Sequence, residues 1–229
     1  MYQSFNLVRA SVMSFALAVA MVMSGTAQAT ILTFNDDVGG PVAANGVNIP
    51  SAYGDNVTAL TQGGFGYGVG AEGFTPNVTV EWGFQDTGLE FQVNFWNAGY
   101  GDLTNIAYSS TTMLIQLTSA GPLDVAIYEF DVAGFSSPRD GTITIEDGSS
   151  NVLYSSGPVS YAHPAHTNFD FTSNPIFASV LQIRVNGPGG GLFGIDNIRF
   201  GEFQIPEPGS ISLVALGCTA LVMRRRRAA

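Results

Sequence analysis

The sequence predicts an all-β protein, a β-sandwich of jelly-roll type flanked by an N-terminal signal helix and a C-terminal transmembrane-like helix. Three observations predict it. Between residues 30 and 205 the apolar residues fall in short runs that alternate with polar ones and are rich in Val, Ile, Thr and aromatics, the pattern of half-buried strands. Nothing in that stretch keeps a helical period over a run of about ten residues. The apolar run at each end of the chain is shorter than the roughly 20 residues of an ordinary spanning helix and is flanked by processing signals.

At the N-terminus, Met1–Ala10 is a polar start whose single charge is Arg9, and Ser11–Met23 is apolar and small. Ala27-Gln28-Ala29 is a small-x-small cleavage site, so residues 1–29 read as a signal peptide and the mature chain as starting at Thr30.

The exported body, residues 30–205, is long enough for one domain with its own core. Of the 18 acidic residues in the chain only Glu207 lies outside it, whereas its basic side chains are Arg139, Arg184 and Arg199 alone. Such a surface repels phosphate backbones, which excludes nucleic acid as a partner and suits a solvated exported protein or divalent cations. The one cysteine, Cys218, lies in the tail, so the body forms no disulfide and depends on core packing.

The strands follow in order. Val78–Trp82 alternates, and Leu89–Phe95 alternates strictly. Met113–Leu117 comes next, then Val125–Val132, where Ala126, Tyr128, Phe130 and Val132 share one parity. Glu129 and Asp131 share the other, which places both carboxylates on one face, the wet one. Thr142–Glu146 and Asn151–Ser155 make a hairpin around Asp147-Gly148-Ser149-Ser150, with Gly148 available for positive φ. Val180–Val185 and Leu192–Phe200 close the body, for a total of roughly nine to eleven strands. Asp36–Gly46, Gly63–Gly73 and Gly187–Gly191 read as Gly-rich loops.

After a short linker comes the tail, residues 206–229. Pro206-Glu207-Pro208 leaves extended backbone, the fourteen residues Ser210–Met223 are apolar, and Arg224, Arg225, Arg226 and Arg227 follow. The arginines hold that end in the cytoplasm and the body outside. In this order the three parts resemble the PEP-CTERM sorting domain of Gram-negative bacteria, also labelled an ice-binding protein C-terminal domain. The resemblance implies recognition by an exosortase-type membrane protease, a transient inner-membrane stage, and release to the cell surface or extracellular matrix. Phe193–Phe200 and Ile31–Asp37 are similar to segments of exported PEP-CTERM proteins and of galactose-binding-like jelly-roll modules, and imply that fold for the body; Gly73–Val80 is similar to a segment of exported PEP-CTERM proteins.

Several residue groups carry candidate chemistry. Gly68–Gly73 fits G-x-G-x-x-G, but it runs into Phe74-Thr75-Pro76, which opens no helix to hold a pyrophosphate. His163 and His166 are the only histidines and stand in a Pro-containing loop without cysteine; they read as loop residues rather than a metal pair. Asp36, Asp37 and Asp196 are candidate ligands of a structural calcium ion if the first and last strands are neighbours, although Asp is also an ordinary loop residue. Glu81, Glu90, Glu129 and Asp131 are the strand carboxylates that glycoside hydrolysis would need as an opposed pair. Tyr67, Trp96 and Tyr100 lie in or beside Gly-rich segments, where exposed rings would stack on sugar faces.

These signals define the expected function: an exported, exosortase-sorted surface or matrix protein, non-enzymatic, with extracellular polysaccharide as its ligand. The alternative is a secreted polysaccharide-active enzyme using strand carboxylates as acid and base. Ice binding would require a flat, regular Thr-rich face, and no such repeat is present.

Overall fold

The computed structural model describes residues 29–35, 44–58, 61–62, 64–67, 75–83, 93–109, 112–187 and 192–203. The signal segment to residue 28, the sorting tail, Asp36, Asp37, Glu90 and most of Gly63–Gly73 lie outside them. Residues 27–203 form one compact unit.

The described chain is all β. Its strands are β1 (Ala29–Leu32), β2 (Thr61–Gln62), β3 (Phe65–Gly66), β4 (Val78–Gly83), β5 (Asn94–Trp96), β6 (Ile106–Ser109) and β7 (Met113–Ser119). They continue with β8 (Asp124–Gly134), β9 (Arg139–Asp147), β10 (Val152–Tyr161), β11 (Thr167–Asp170), β12 (Ile176–Ala178), β13 (Val180–Asn186) and β14 (Phe193–Phe203).

Two antiparallel sheets face each other as a sandwich. One runs β11-β8-β14-β6-β5, with β1 also on β14 and β12 also on β8; the other runs β10-β9-β13-β7-β4. Alternation explains the second sheet directly. Ile143 and Ile145, Leu181, Ile183 and Val185, Met113, Ile115 and Leu117, and Val78, Val80 and Trp82 all point inward and are buried. Their sequence neighbours point outward as the pleat requires. These side chains meet Ile127, Phe130, Val132, Ile195, Ile198 and Phe200 of the first sheet in one core.

The long central strands of the first sheet depart from simple alternation. On β14 the inward residues are Phe193 and Ile195, then Ile198 and Phe200. Asn197 is the extra residue, at φ 52°, a region that Asn tolerates better than most side chains. On β8 the inward residues are Val125 and Ile127, then Phe130 and Val132. The register between the two strands shifts on both sides of Arg199, so a bulge in each strand offsets the other and both ends of each strand keep an apolar face on the core. The single parity expected for Val125–Val132 is therefore wrong. Phe130 and Val132 share a face with Val125 and Ile127, not with Ala126. Asp131, expected on a wet face, is 7% exposed.

The Asp147 hairpin forms as expected, by a different device. Its carboxylate accepts from Ser149 N, Asn151 N and Asn151 Nδ2 at 2.8–2.9 Å. Positive φ falls on Ser150, at 63°, rather than on Gly148.

Candidate functional site

The outer face of the first sheet carries a second, smaller apolar cluster of Tyr100, Leu103, Ile106 and Ala133. Gly194 permits it. A Cβ there would lie 2.9 Å from Tyr100 Cδ1 and 2.8 Å from Ile106 Cδ1, so only glycine lets those side chains lie against the strand. Around this cluster stand three half-buried aromatics, Trp96, Tyr108 and Phe135. Trp96 meets the other two edge-on, with centroids 5.6 Å from Tyr108 and 6.4 Å from Phe135. Tyr100 lies beneath, 5.0 Å from Phe135.

The candidate rings thus separate. Trp96 is only partly buried. Tyr100 is 2% exposed, and Tyr67 is 3% exposed and stacked on Tyr53 at 5.0 Å and 11°. The Tyr67 hydroxyl accepts from Gly54 N. The expectation that Tyr67 and Tyr100 present open rings in loops is corrected: both are core rings. Tyr108 and Phe135 were not legible as partners of Trp96. On β6 both faces are covered, Ile106 by the outer cluster and Ala107 by the main core, so the strand shows no alternation.

Beside the aromatics is a polar clasp. The loop after β5 and the loop after β10 are held together by both histidines. Gly101 N donates to His163 Nδ1 at 3.2 Å, and His166 Nδ1 lies 2.9 Å from Asp102 Oδ1. His166 Nε2 lies 3.6 Å from Asp131 Oδ1. The approach is close: a Cβ on Gly101, at φ 60°, would be 2.2 Å from the Ala165 carbonyl oxygen. The hydrogen bond from His166 holds the Asp102 carboxyl below its ordinary range. The imidazoles are loop residues as expected, but each is committed to its own partner. Among the described residues no group of three or more His, Cys, Asp and Glu gathers to hold a metal.

Under the clasp, Asp131 accepts from Asn168 Nδ2 and from Asn197 Nδ2, each at 2.8 Å. Asp196, 4% exposed, sits opposite it in register and accepts from Asn197 N at 2.7 Å. The first and last strands are neighbours, with Leu32 opposite Ile198. That meets the condition set for a calcium site, whose other expected ligands, Asp36 and Asp37, lie outside the described residues.

Two of the strand carboxylates stand on opposite sheets. Glu81 is exposed on the outer face of the second sheet and accepts from Gln116 Nε2 at 3.0 Å. Glu129 is on the outer face of the first sheet, 3.6 Å from Arg199 Nη1. The core of the sandwich separates them, so they cannot flank one glycosidic bond.

The chain matches no protein-family model and no curated protein. Among solved structures it is similar to a Ruminococcus gnavus GH29 fucosidase in complex with fucose, at 13% identity and a TM-score of 0.35, over 57% of this chain and 26% of that one. It is also similar to the enzymatically active domain of bacteriophage CBA120 tailspike protein 4, at 16% identity and a TM-score of 0.29, over 56% and 19%. A CBM4 structure is similar at 13% identity and a TM-score of 0.25, over 48% of this chain and 87% of that one. The chain spans about a quarter of the length of the fucosidase.

Proposed function

We propose that this is an exported, exosortase-sorted cell-surface or matrix protein whose jelly-roll-type sandwich binds extracellular polysaccharide without turning it over. The observation that carries the binding reading is Trp96, held half-buried on the outer face of the sheet by edge contacts with Tyr108 and Phe135. A fixed, partly exposed indole offers a sugar ring a large contact surface at little cost in conformational entropy. The Asp102–His166 clasp on the same face supplies carboxylate and imidazole groups suited to sugar hydroxyls.

The sorting half of the reading rests on the ordered tail: Pro206-Glu207-Pro208, then an apolar stretch, then Arg224–Arg227. Its partners are an exosortase-type protease and, transiently, the inner membrane. A glycan array with the full-length protein tests the binding half. Specific retention of a polysaccharide without release of reducing ends supports the module, and product release supports the enzyme instead.

A further inference from the structure

The open edge of the sandwich, between β10 of one sheet and β11 of the other, holds a shallow cavity of about 510 Å³. It lies on different strands from Trp96. Leu153, Tyr154 and Phe171 form its apolar side, and Asn168, Asp170 and Asn174 are among its polar lining. Tyr154 and Phe171 meet edge to face at 4.9 Å, and Phe171 leans on buried Phe130 at 6.0 Å, so this wall is anchored to the core.

The polar side follows from strand geometry. Among the described residues β11 pairs only with β8, and Phe171 N donates to Tyr128 O on that side. Main-chain groups alternate along a strand, so those of Asn168 and Asp170 point away from β8, toward the free edge where the cavity lies. Asp170 adds a carboxylate held by Thr172, whose N and Oγ1 both donate to Oδ1 at 2.8 and 2.6 Å. No basic side chain lines the cavity, which argues against an anionic ligand.

We infer that this edge is a second ligand site, which takes one neutral sugar unit: its apolar face against Tyr154 and Phe171, its hydroxyls on the free edge of β11. The inference rests on the polysaccharide reading for the class of ligand and adds a site to it. An extended peptide fits less well. Only Asn168 and Asp170 present edge groups, and the turn from Phe171 to Asn174, closed by Asn174 N donating to Phe171 O, ends the strand before a partner strand has length to pair.

The test is a titration of the full-length, isotope-labelled protein with the methyl glycosides of glucose, galactose and mannose, followed by NMR. The expected result is a saturable shift of the Asn168 and Asp170 main-chain amides with at least one sugar. Tyr154→Ala should weaken that binding about tenfold or more while the rest of the spectrum stays unchanged. Saturable shifts that Tyr154→Ala leaves unaffected would overturn the site as drawn, as would edge shifts produced by an extended Val-Thr peptide but by none of the sugars. A response at the Trp96 indole alone would overturn this site and leave the polysaccharide reading standing. Silence at both positions would remove both.

Discussion

Asp131 and Asp196 stand opposite each other on β8 and β14, both nearly buried, and Asn197 donates to both. Its side-chain amide reaches Asp131 Oδ2 at 2.8 Å and its main-chain N–H reaches Asp196 Oδ1 at 2.7 Å. Two carboxyl groups directly across a sheet disfavour each other, and the bulge at Asn197 places two donors between them. Asn197→Asp removes one donor and adds a third carboxyl, and should destabilise by about 2–4 kcal/mol. Asn197→Gly keeps the positive φ and loses only the amide, about 1–2 kcal/mol. Urea unfolding of the two variants checks this, since a purely conformational role for Asn197 would leave Asn197→Gly at least as stable as the parent.

The buried phenols set the alkaline limit. Burial, with the Asp55 charge adding to it and the Gly54 N–H opposing it, pushes Tyr67 up to about 12 from 10.0. Burial raises Tyr100 and Tyr161 as well. A raised folded value favours the neutral form, so the stabilisation is complete below pH 10 and is lost as pH rises toward the folded values. The melting temperature should fall above about pH 10. Tyr67→Phe should flatten part of that fall and cost about 1 kcal/mol at neutral pH through the lost Gly54 hydrogen bond.

The acid limit has the opposite sign. Hydrogen bonds from Asn151, first its side chain and then its backbone, hold Asp147 below 3.8, and those from Thr172 do the same for Asp170. Depressed carboxylates stabilise the fold above their unfolded values and lose that contribution as pH falls through the folded ones. Asp55, raised by burial, works against them. Asp147→Ala should reduce the slope of melting temperature against pH below about 4 and speed amide exchange at Ser149 and Asn151. An unchanged slope would show that the hairpin carboxylate does not contribute.

Much of the architecture was legible because the second sheet is one-sided. Its strands bury one face and wet the other, so Val78–Trp82, Met113–Leu117 and Val180–Val185 show their period in the sequence. The first sheet is covered on both faces around Ile106, Ala107 and Ala133, and there the alternation disappears. β6 and the partners of Trp96 therefore leave no period in the sequence. The offset bulges at Asn197 and near Tyr128 each shift the parity by one residue, which no fixed-period reading follows. Exposure of Tyr67 and Tyr100 is not legible in the sequence, because neighbouring glycines read equally as a mobile loop or as close backbone packing. The structure chooses packing, with Gly194 against the Tyr100 ring and Gly54 N donating to the Tyr67 hydroxyl.

Processing gives a prediction independent of the fold. Released protein should begin at or near Thr30 and lack everything after Pro206-Glu207-Pro208. Mass spectrometry of the secreted form reads both ends, and an intact Arg224–Arg227 terminus on released protein would reject exosortase-type sorting.

The central claim, polysaccharide binding through the outer aromatic face, is tested most directly at Trp96. The measurement is affinity of full-length protein for the polysaccharide retained on a glycan array, parent against Trp96→Ala, with the melting temperature as folding control. Because Trp96 is half-buried, some loss of stability accompanies the change, and Trp96→Phe keeps an aromatic in place. The account predicts at least a twentyfold loss for Trp96→Ala, about 2 kcal/mol, and a smaller loss for Trp96→Phe, with both variants folded. A folded Trp96→Ala that binds like the parent, or a parent that retains no polysaccharide, would contradict it.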